Sequence, residues 1–164
     1  MCIPTDGTSV RCNSHTMPPG RKPKNSKKEP IYAAKLTNKA KTTAAIVKKH
    51  ALHIMKTLGK GHSERVYHRA MITSLNKANV PHRSEVLSPI FFMGEVVGMG
   101  RCDLVIRDTA VEIKANALPP RSAIPQLRKY TQSLAKIENK KNFFGLIINF
   151  NQRTGRTDTL WTNG

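Results

Sequence analysis

Three of the charged residues in the stretch Gly100–Ala115, GRCDLVIRDTAVEIKA, could form one site: Asp103, Glu112 and Lys114. The stretch predicts two strands joined by a two-residue turn at Asp108–Thr109, so that Asp103 faces Lys114. Because side chains alternate along a strand, all three charged groups then share one face. Burying charges beside apolar strand is costly, so a role beyond stability is expected. Two acids on neighbouring strands can hold Mg²⁺, and a lysine beside them can orient or stabilise a hydroxide.

The opposite face of this hairpin is predicted to be apolar and carries Leu104, Ile106, Val111 and Ile113. Helical patterns run from about Thr43 to Leu58 and from about His62 to Asn79, and Glu64 falls on the apolar stripe of the second helix. Glu64 is then either a third carboxylate directed at the metal site or a first-turn acid that complements the helix dipole. A third helix, capped by Ser122, is predicted to run to about Glu138.

Further strands are predicted at residues 86–92, 95–99, 143–150 and 157–162. The run FFGLIINF at 143–150 is typical of a central, buried strand, and 157–162 of an edge strand. This order of elements predicts an α/β (α+β) fold with a mixed sheet flanked by helices.

The chain is strongly basic, with 28 Lys and Arg against 10 Asp and Glu and a net charge of +18. Residues 1–42 are poor in apolar residues and predict a disordered basic arm, which leaves 43–164 as the folded domain. Residues 1–50 carry half of the excess charge, so the folded part is basic too. The charge predicts nucleic acid as the partner, ahead of an anionic membrane. The arm residues assigned to nucleic-acid binding are Arg21, Lys22, Lys24, Lys27 and Lys28. A solvated tail that only aids solubility is the alternative for the arm.

The cysteines indicate a reducing compartment, because Cys2, Cys12 and Cys102 are odd in number and form no CxxC pair. Cys102 is expected to be a buried strand thiol. No apolar run is long enough to span a membrane, and residues 1–20 have no apolar signal-peptide core. An intracellular location is therefore predicted, with nuclear, nucleoid or virion association left open.

Separated segments of the chain resemble one family. Residues 61–67, GHSERVY, resemble the signature of the GxxExxY proteins, and Asp103 followed by Glu112-Ile113-Lys114 resembles the D…ExK core of the PD-(D/E)XK nuclease superfamily, to which those proteins belong. Residues 126–130, QLRKY, resemble the QxxxY motif of the following helix in the RecB-like and phage-exonuclease-like branches. Residues 147–151 resemble the "LINF" strand of the same family.

The resemblance covers about residues 50–151 and implies a restriction-endonuclease-like fold with metal-dependent hydrolysis of phosphodiester bonds. DNA is the expected substrate, ahead of RNA. It implies that Asp103 and Glu112 bind Mg²⁺ (or Mn²⁺) and that Glu64 completes the metal site. Lys114 would position the attacking water or stabilise charge. The helix residues assigned to supporting the site or touching phosphate are Gln126 and Tyr130, and those assigned to the nucleic-acid backbone are Arg128 and Lys129.

Two other classes compete with a nuclease. One is a non-enzymatic nucleic-acid-binding, packaging or structural protein built on a nuclease-like fold, which the charge and the arm favour. The other is a basic RNA-binding or ribosome-associated protein, which has no use for buried acids.

Overall fold

The computed structural model describes residues 37–163. Its elements are, in chain order, α1 (Asn38–Leu58), α2 (Glu64–Lys77), β1 (Arg83–Phe92), β2 (Glu95–Ile106), β3 (Thr109–Lys114), a 3₁₀ turn (Arg121–Ala123), α3 (Ile124–Ile137), β4 (Phe144–Phe150) and β5 (Thr157–Asn163). The predicted order of helices and strands is confirmed with one change. The strand expected at 95–99 and the first strand of the hairpin form a single long strand, β2.

Helix α1 begins inside the segment 1–42 that the sequence assigned to a disordered arm. The hydroxyl of Thr37 accepts a hydrogen bond from the N–H of Ala40 at 3.2 Å, which caps the first turn, and Ala40 is buried. The assignment was wrong for residues 38–42 because Ala40 is the one apolar residue among them, too few to produce a helical stripe. The rest of the predicted arm, with its basic cluster, Cys2 and Cys12, lies outside the described residues.

The sheet has five strands in the order β1-β2-β3-β4-β5. Strands β3 and β4 are parallel and the other neighbours are antiparallel, which confirms the mixed sheet. Strand β4 is buried along its whole length and β5 forms an edge, as predicted. Within residues 37–163, no helix is long and apolar enough to cross a bilayer.

The helices cover both faces of the sheet. Helices α1 and α2 pack on one face, where the core includes Val47, Tyr67, Met71, Phe150 and all four residues of the predicted apolar face of the hairpin. Helix α3 packs on the other face, against Cys102, Val105, Ala110 and Ile147. Burying a large apolar side chain contributes about 1.5–3 kcal/mol, so these two layers hold the sheet in place.

The turn between β2 and β3 comes one residue earlier than predicted. Ile106 pairs with Thr109, which leaves Arg107 and Asp108 in the turn, and Arg107 takes a positive φ of 54°. Val105 therefore faces Ala110, two residues from the predicted partner Glu112. A change of two residues keeps every side chain of β3 on its original face, so the predicted face survives an incorrect register.

The start of α3 differs from the prediction. Residues Arg121–Ala123 form a 3₁₀ turn, and Ala123, with no side-chain hydrogen bond, precedes the helix. Pro125 lies in the first turn, where its missing N–H costs nothing because the first helical N–H groups have no partner in the helix. The predicted cap at Ser122 was therefore wrong.

Candidate active site

The acids lie at a fork in the sheet. Pairing between β2 and β3 stops at Leu104 and Val111. Beyond this point β2 remains paired with β1, and β3 remains paired with β4, so the two strands separate. Asp103 lies on the β2 side of the fork, and its Oδ2 accepts a hydrogen bond from the N–H of Ile113 at 2.8 Å. This bond takes the place of a ladder hydrogen bond and fixes the carboxylate beside Glu112 on β3.

A local irregularity in β1 and β2 lies at the fork. The regular pairing passes over Glu85, which has a positive φ of 52°, and over Asp103. Residues two apart on a strand normally share a face, yet Cys102 packs in the core under α3 and Leu104 packs in the core under α1 and α2. The alternation therefore breaks at Asp103. Irregular strand positions of this kind re-aim side chains and are common beside active sites.

Lys114 joins the two remaining acids. Its Nζ lies 2.9 Å from Oε1 of Glu112 and 3.2 Å from Oε1 of Glu64. Glu112 is buried, whereas the side chain of Glu64 is exposed at the first position of α2. Glu64 is therefore a first-turn acid that also pairs with Lys114, and its assignment to the metal site stays a prediction.

Burial and mutual repulsion set the electrostatics of the site. Burial raises the pKa of Glu112 to about 6, and the negative charge of Asp103 adds to the rise while Lys114 opposes it. Burial also raises the pKa of Asp103. The hydrogen bond from the N–H of Ile113 and the charge of Lys114 oppose this rise but do not cancel it. Burial alone would lower the pKa of Lys114, but Glu112 and Glu64 outweigh it and raise that pKa. The lysine is thus held charged, and the two inner acids gain from any added cation.

The donor set fits a hard divalent cation. Oε2 of Glu112 is buried and has no hydrogen-bond partner in the described part of the chain. Mg²⁺ is usually bound through one or two carboxylates together with water and phosphate oxygens, so Asp103 and Glu112 are sufficient. Among residues 37–163, no group of three or more His, Cys, Asp or Glu side chains forms a ready metal cluster. Glu64 meets the ammonium of Lys114 instead.

Gln126 and Tyr130 lie beside the strand of Asp103 rather than among the acids. The amide of Gln126 donates to the hydroxyl of Tyr130 at 2.6 Å. The ring of Tyr130 covers Gly100 so closely that a Cβ there would come within 2.4 Å of it. Gly100 precedes Asp103 by three residues on β2, so this predicted pair supports the β2 side of the fork.

The two basic residues assigned to the nucleic-acid backbone point apart. The side chain of Arg128 donates to the hydroxyl of Thr162 on β5 at 2.8 Å. Lys129, the next residue, lines the open groove between α3 and the β1–β2 hairpin. Consecutive helical residues face different directions, and only Lys129 of this pair faces that groove.

Gln152 is a site residue that the sequence analysis missed. Its Oε1 accepts from the N–H of Gly61 at 2.7 Å, and its Nε2 donates to the carbonyl of Phe150 at 2.6 Å. Its own N–H donates to the carbonyl of Asn116 at 3.1 Å. One residue therefore ties the loop that precedes Glu64 to the segment that follows Lys114.

Neighbouring contacts reinforce this junction. The hydroxyl of Tyr67 donates to the carbonyl of Gly59 at 2.8 Å, and its ring stacks on Phe150 with centroids 4.3 Å apart. The side chain of Asn149 bonds the N–H of Asn116 at 2.9 Å and its carbonyl at 3.2 Å. No periodic pattern in the sequence predicts such contacts, although Gln152 does directly follow the strand recognised as "LINF".

His68 is a second residue that was missed. Its Nε2 lies 3.2 Å from the carbonyl oxygen of Asp103. It lines a cavity of about 420 Å³ together with Glu64, Arg65, Glu85, Arg101 and Asp103. His68 lies one turn after Glu64 on α2, and this spacing is the sequence signal that could have identified it.

A mixed sheet between helical layers, split where two acids and a lysine meet, defines a nuclease-like α/β fold. Residues 41–159 match the family model of the PD-(D/E)XK nuclease superfamily, and the chain belongs to that superfamily. Among solved structures, "Crystal structure of SSO0001" is similar at 21% identity and a TM-score of 0.41, over 61% of this chain and 50% of that one. This chain thus spans about half the length of that structure. A search of curated proteins finds no match.

Proposed function

We propose that this protein is a metal-dependent nuclease of the GxxExxY type that hydrolyses phosphodiester bonds, with DNA as the expected substrate. The observation that carries the proposal is the pair of partly desolvated carboxylates, Asp103 and Glu112, fixed at the strand fork beside the charged Lys114. Acids with raised pKa values that face each other are characteristic of functional sites, because stability alone does not favour them.

Asp103 and Glu112 are the residues that would hold Mg²⁺ or Mn²⁺, with Glu64 at the outer edge of the site. A bound ion of this kind lowers the pKa of its water and neutralises charge on a phosphate oxygen. The hydrogen bond from Ile113 holds the carboxylate of Asp103 in one orientation, so the two acids are positioned before any ligand arrives.

Lys114 supplies a fixed positive charge next to these acids. Its two carboxylate partners keep the ammonium protonated at neutral pH. In that state it can orient an attacking hydroxide or compensate the charge that develops on the phosphate. Tyr130, which accepts a hydrogen bond from Gln126, packs over Gly100 on the strand that carries Asp103.

Sequence-independent contact with the phosphate backbone would come from the basic surface. The described residues 37–163 carry 21 Lys and Arg against 8 Asp and Glu. The arm would add the cluster from Arg21 to Lys28, and α3 would add Lys129. Binding of this kind weakens steeply with salt because each phosphate contact releases counterions.

The proposal is tested by incubating the full chain with labelled single- and double-stranded DNA and RNA in Mg²⁺, Mn²⁺ or EDTA. We expect cleavage with either metal and none with EDTA. Asp103→Ala and Lys114→Ala should each abolish cleavage. If both variants cut as well as the wild type, these residues are not the catalytic site.

A non-enzymatic nucleic-acid-binding, packaging or structural protein is the second candidate. The observation in its favour is that Lys114 already serves Glu64 and Glu112 as an internal counter-ion. This candidate predicts salt-sensitive binding that is indifferent to sequence, together with full-length substrate after incubation with either metal. The cleavage assay separates the two functions directly.

A further inference from the structure

An open groove runs between the β1–β2 hairpin and α3, outside the acid site. Its volume is about 880 Å³. The hairpin side presents Ile90, Phe91 and Met99, and the α3 side presents Gln126, Lys129, Gln132 and Lys136, with Gly100 and Tyr130 between them. The two walls differ in chemistry, and this difference indicates the ligand.

The α3 wall is cationic. Lys129 and Lys136 are both exposed and are seven residues apart, which places them on one face about 10 Å from each other. The residues that line the groove include no Asp or Glu, although the site at the fork holds three acids. The ammonium of Lys136 lies 4.3 Å from the centre of the Phe91 ring, so the charge reaches across to the hairpin.

The hairpin wall is apolar and almost uncharged. Residues 86–100 contain a single charged residue, Glu95, in a chain of net charge +18. This segment also carries eight of the thirteen large apolar residues that are exposed in the described part of the chain. Three of the eight, Ile90, Phe91 and Met99, line the groove, and exposed apolar residues grouped in this way mark a binding site.

We propose that this groove binds a single strand of nucleic acid, with phosphates along Lys129 and Lys136 and bases against Ile90, Phe91 and Met99. A single strand has one anionic edge and one exposed apolar edge, which match the two walls. A duplex presents phosphates outward and hides the base faces, so it matches the cationic wall alone. The inference rests on the proposed function where it treats this strand as the substrate.

Strand β2 runs from the groove, on the α3 side of the sheet, to the acid site, whose cavity is lined by residues of α2. Gly100 lies in the groove and Asp103 lies at the fork, three residues further along the strand. At the rise of an extended strand this separation is about 10 Å. This distance is short enough for one nucleic-acid strand to reach from the groove to the acids.

Binding is measured by fluorescence anisotropy on the full chain in EDTA, with a labelled oligonucleotide as single strand and as blunt duplex of equal length. We expect the single strand to bind at least about tenfold more tightly, as one stacked base is worth roughly 1–3 kcal/mol. Lys129→Gln with Lys136→Gln should reduce the slope of log affinity against log salt by about 1.4, since each single-strand phosphate contributes about 0.7.

Two matched controls separate the groove from general charge and general apolarity. Lys48→Gln with Lys56→Gln removes the same charge from exposed positions on α1, on the other side of the sheet, and should leave the single-strand preference intact. Met99→Ser should reduce the preference, whereas Val97→Ser, at the same 60% exposure but outside the groove, should not. Circular dichroism and thermal unfolding confirm that each variant folds.

Equal affinity for duplex and single strand would overturn the proposal. So would a loss of single-strand preference in the Lys48/Lys56 variant as large as that in the Lys129/Lys136 variant. A third contradicting result is a dimer, seen by light scattering, that Met99→Ser dissociates while single-strand affinity stays unchanged. The apolar wall would then serve self-association. Groove binding without cleavage in Mg²⁺ would reject the nuclease and keep the groove. Cleavage without single-strand preference would reject the groove and keep the nuclease.

Discussion

The ammonium nitrogen of Lys114 lies 2.9 Å from a carboxylate oxygen of Glu112, two residues before it on the same strand. The same nitrogen reaches Glu64 at the start of α2, while Asp103 approaches from across the fork. Three of the eight acids in residues 37–163 thus meet at one point of a strongly basic protein. The cluster gives rise to separate consequences for pH dependence, stability and binding.

Replacing Glu112 by Gln should stabilise the protein at neutral pH while removing the proposed activity. Folding raises the pKa of Glu112 from 4.5 to about 6, so its favourable contribution is complete below pH 4.5 and is lost as the pH rises through about 6. A shift of this size corresponds to about 2 kcal/mol. Thermal unfolding should therefore show a higher Tm for Glu112→Gln at pH 7 and an equal Tm at pH 4.5.

Glu95→Gln is the control for this measurement, because Glu95 is an exposed acid next to the β1–β2 turn. It removes the same charge without touching the fork. A Glu112→Gln variant less stable than the wild type at pH 7 would show that the ion pair with Lys114 outweighs burial and repulsion.

Replacing Gln152 by Ala should loosen the loop that carries Glu64. The amide side chain bonds the N–H of Gly61 and the carbonyl of Phe150, and each such bond contributes about 0.5–1.5 kcal/mol. We expect a loss of about 1–3 kcal/mol and faster hydrogen exchange at the Gly61 amide. Gln152→Glu keeps the acceptor for Gly61 and should preserve protection there, whereas unchanged exchange in Gln152→Ala would refute the role of this residue.

Replacing Gly100 by Ala should displace Tyr130 from β2. The new Cβ would lie 2.4 Å from a ring carbon of a buried tyrosine, so the ring must move. Overpacking of this kind typically costs about 1–3 kcal/mol, which denaturant unfolding can measure. Gly98→Ala is the matched control on the same strand, since its Cβ would make ordinary 3.6 Å contact with Ile90. Equal stability of the two variants would contradict the close approach.

Removing the basic arm should weaken binding of nucleic acid in a salt-dependent way. The deletion should end at Leu36, because Thr37 caps α1 and Ala40 is buried. Residues 1–36 carry seven Lys and Arg against two acids, so the slope of log affinity against log salt should become shallower. An unchanged slope would show that the arm does not contact phosphate.

The sequence predicted which charged residues of the hairpin share a face better than it predicted the register of the hairpin. Alternation along β3 placed Glu112 and Lys114 on one face even though the predicted turn was misplaced, because the error moved each partner by two residues. The helical pattern of α2 and the resemblance to the GxxExxY signature both singled out Glu64, which the structure places beside Lys114 with an exposed side chain. These features depend on local periodicity, which a single sequence displays.

The remaining features depend on long-range contacts. The irregularity at Glu85 and Asp103, which lies at the fork, involves the pairing of two strands and leaves no trace in either strand alone. Gln152 acts on Gly61, 91 residues away, through one side chain. Lys129 was distinguishable from Arg128 only once the position of β5 was known.

The most direct test of the proposed metal-dependent site is the cleavage rate of Asp103→Asn in Mg²⁺, compared with the wild type and with Glu95→Gln at a temperature where all three are folded. Asp103→Asn keeps the size of the side chain but removes the charge that faces Glu112. The account predicts a loss of at least about a hundredfold for Asp103→Asn and none for Glu95→Gln. Wild-type cleavage by Asp103→Asn would contradict it.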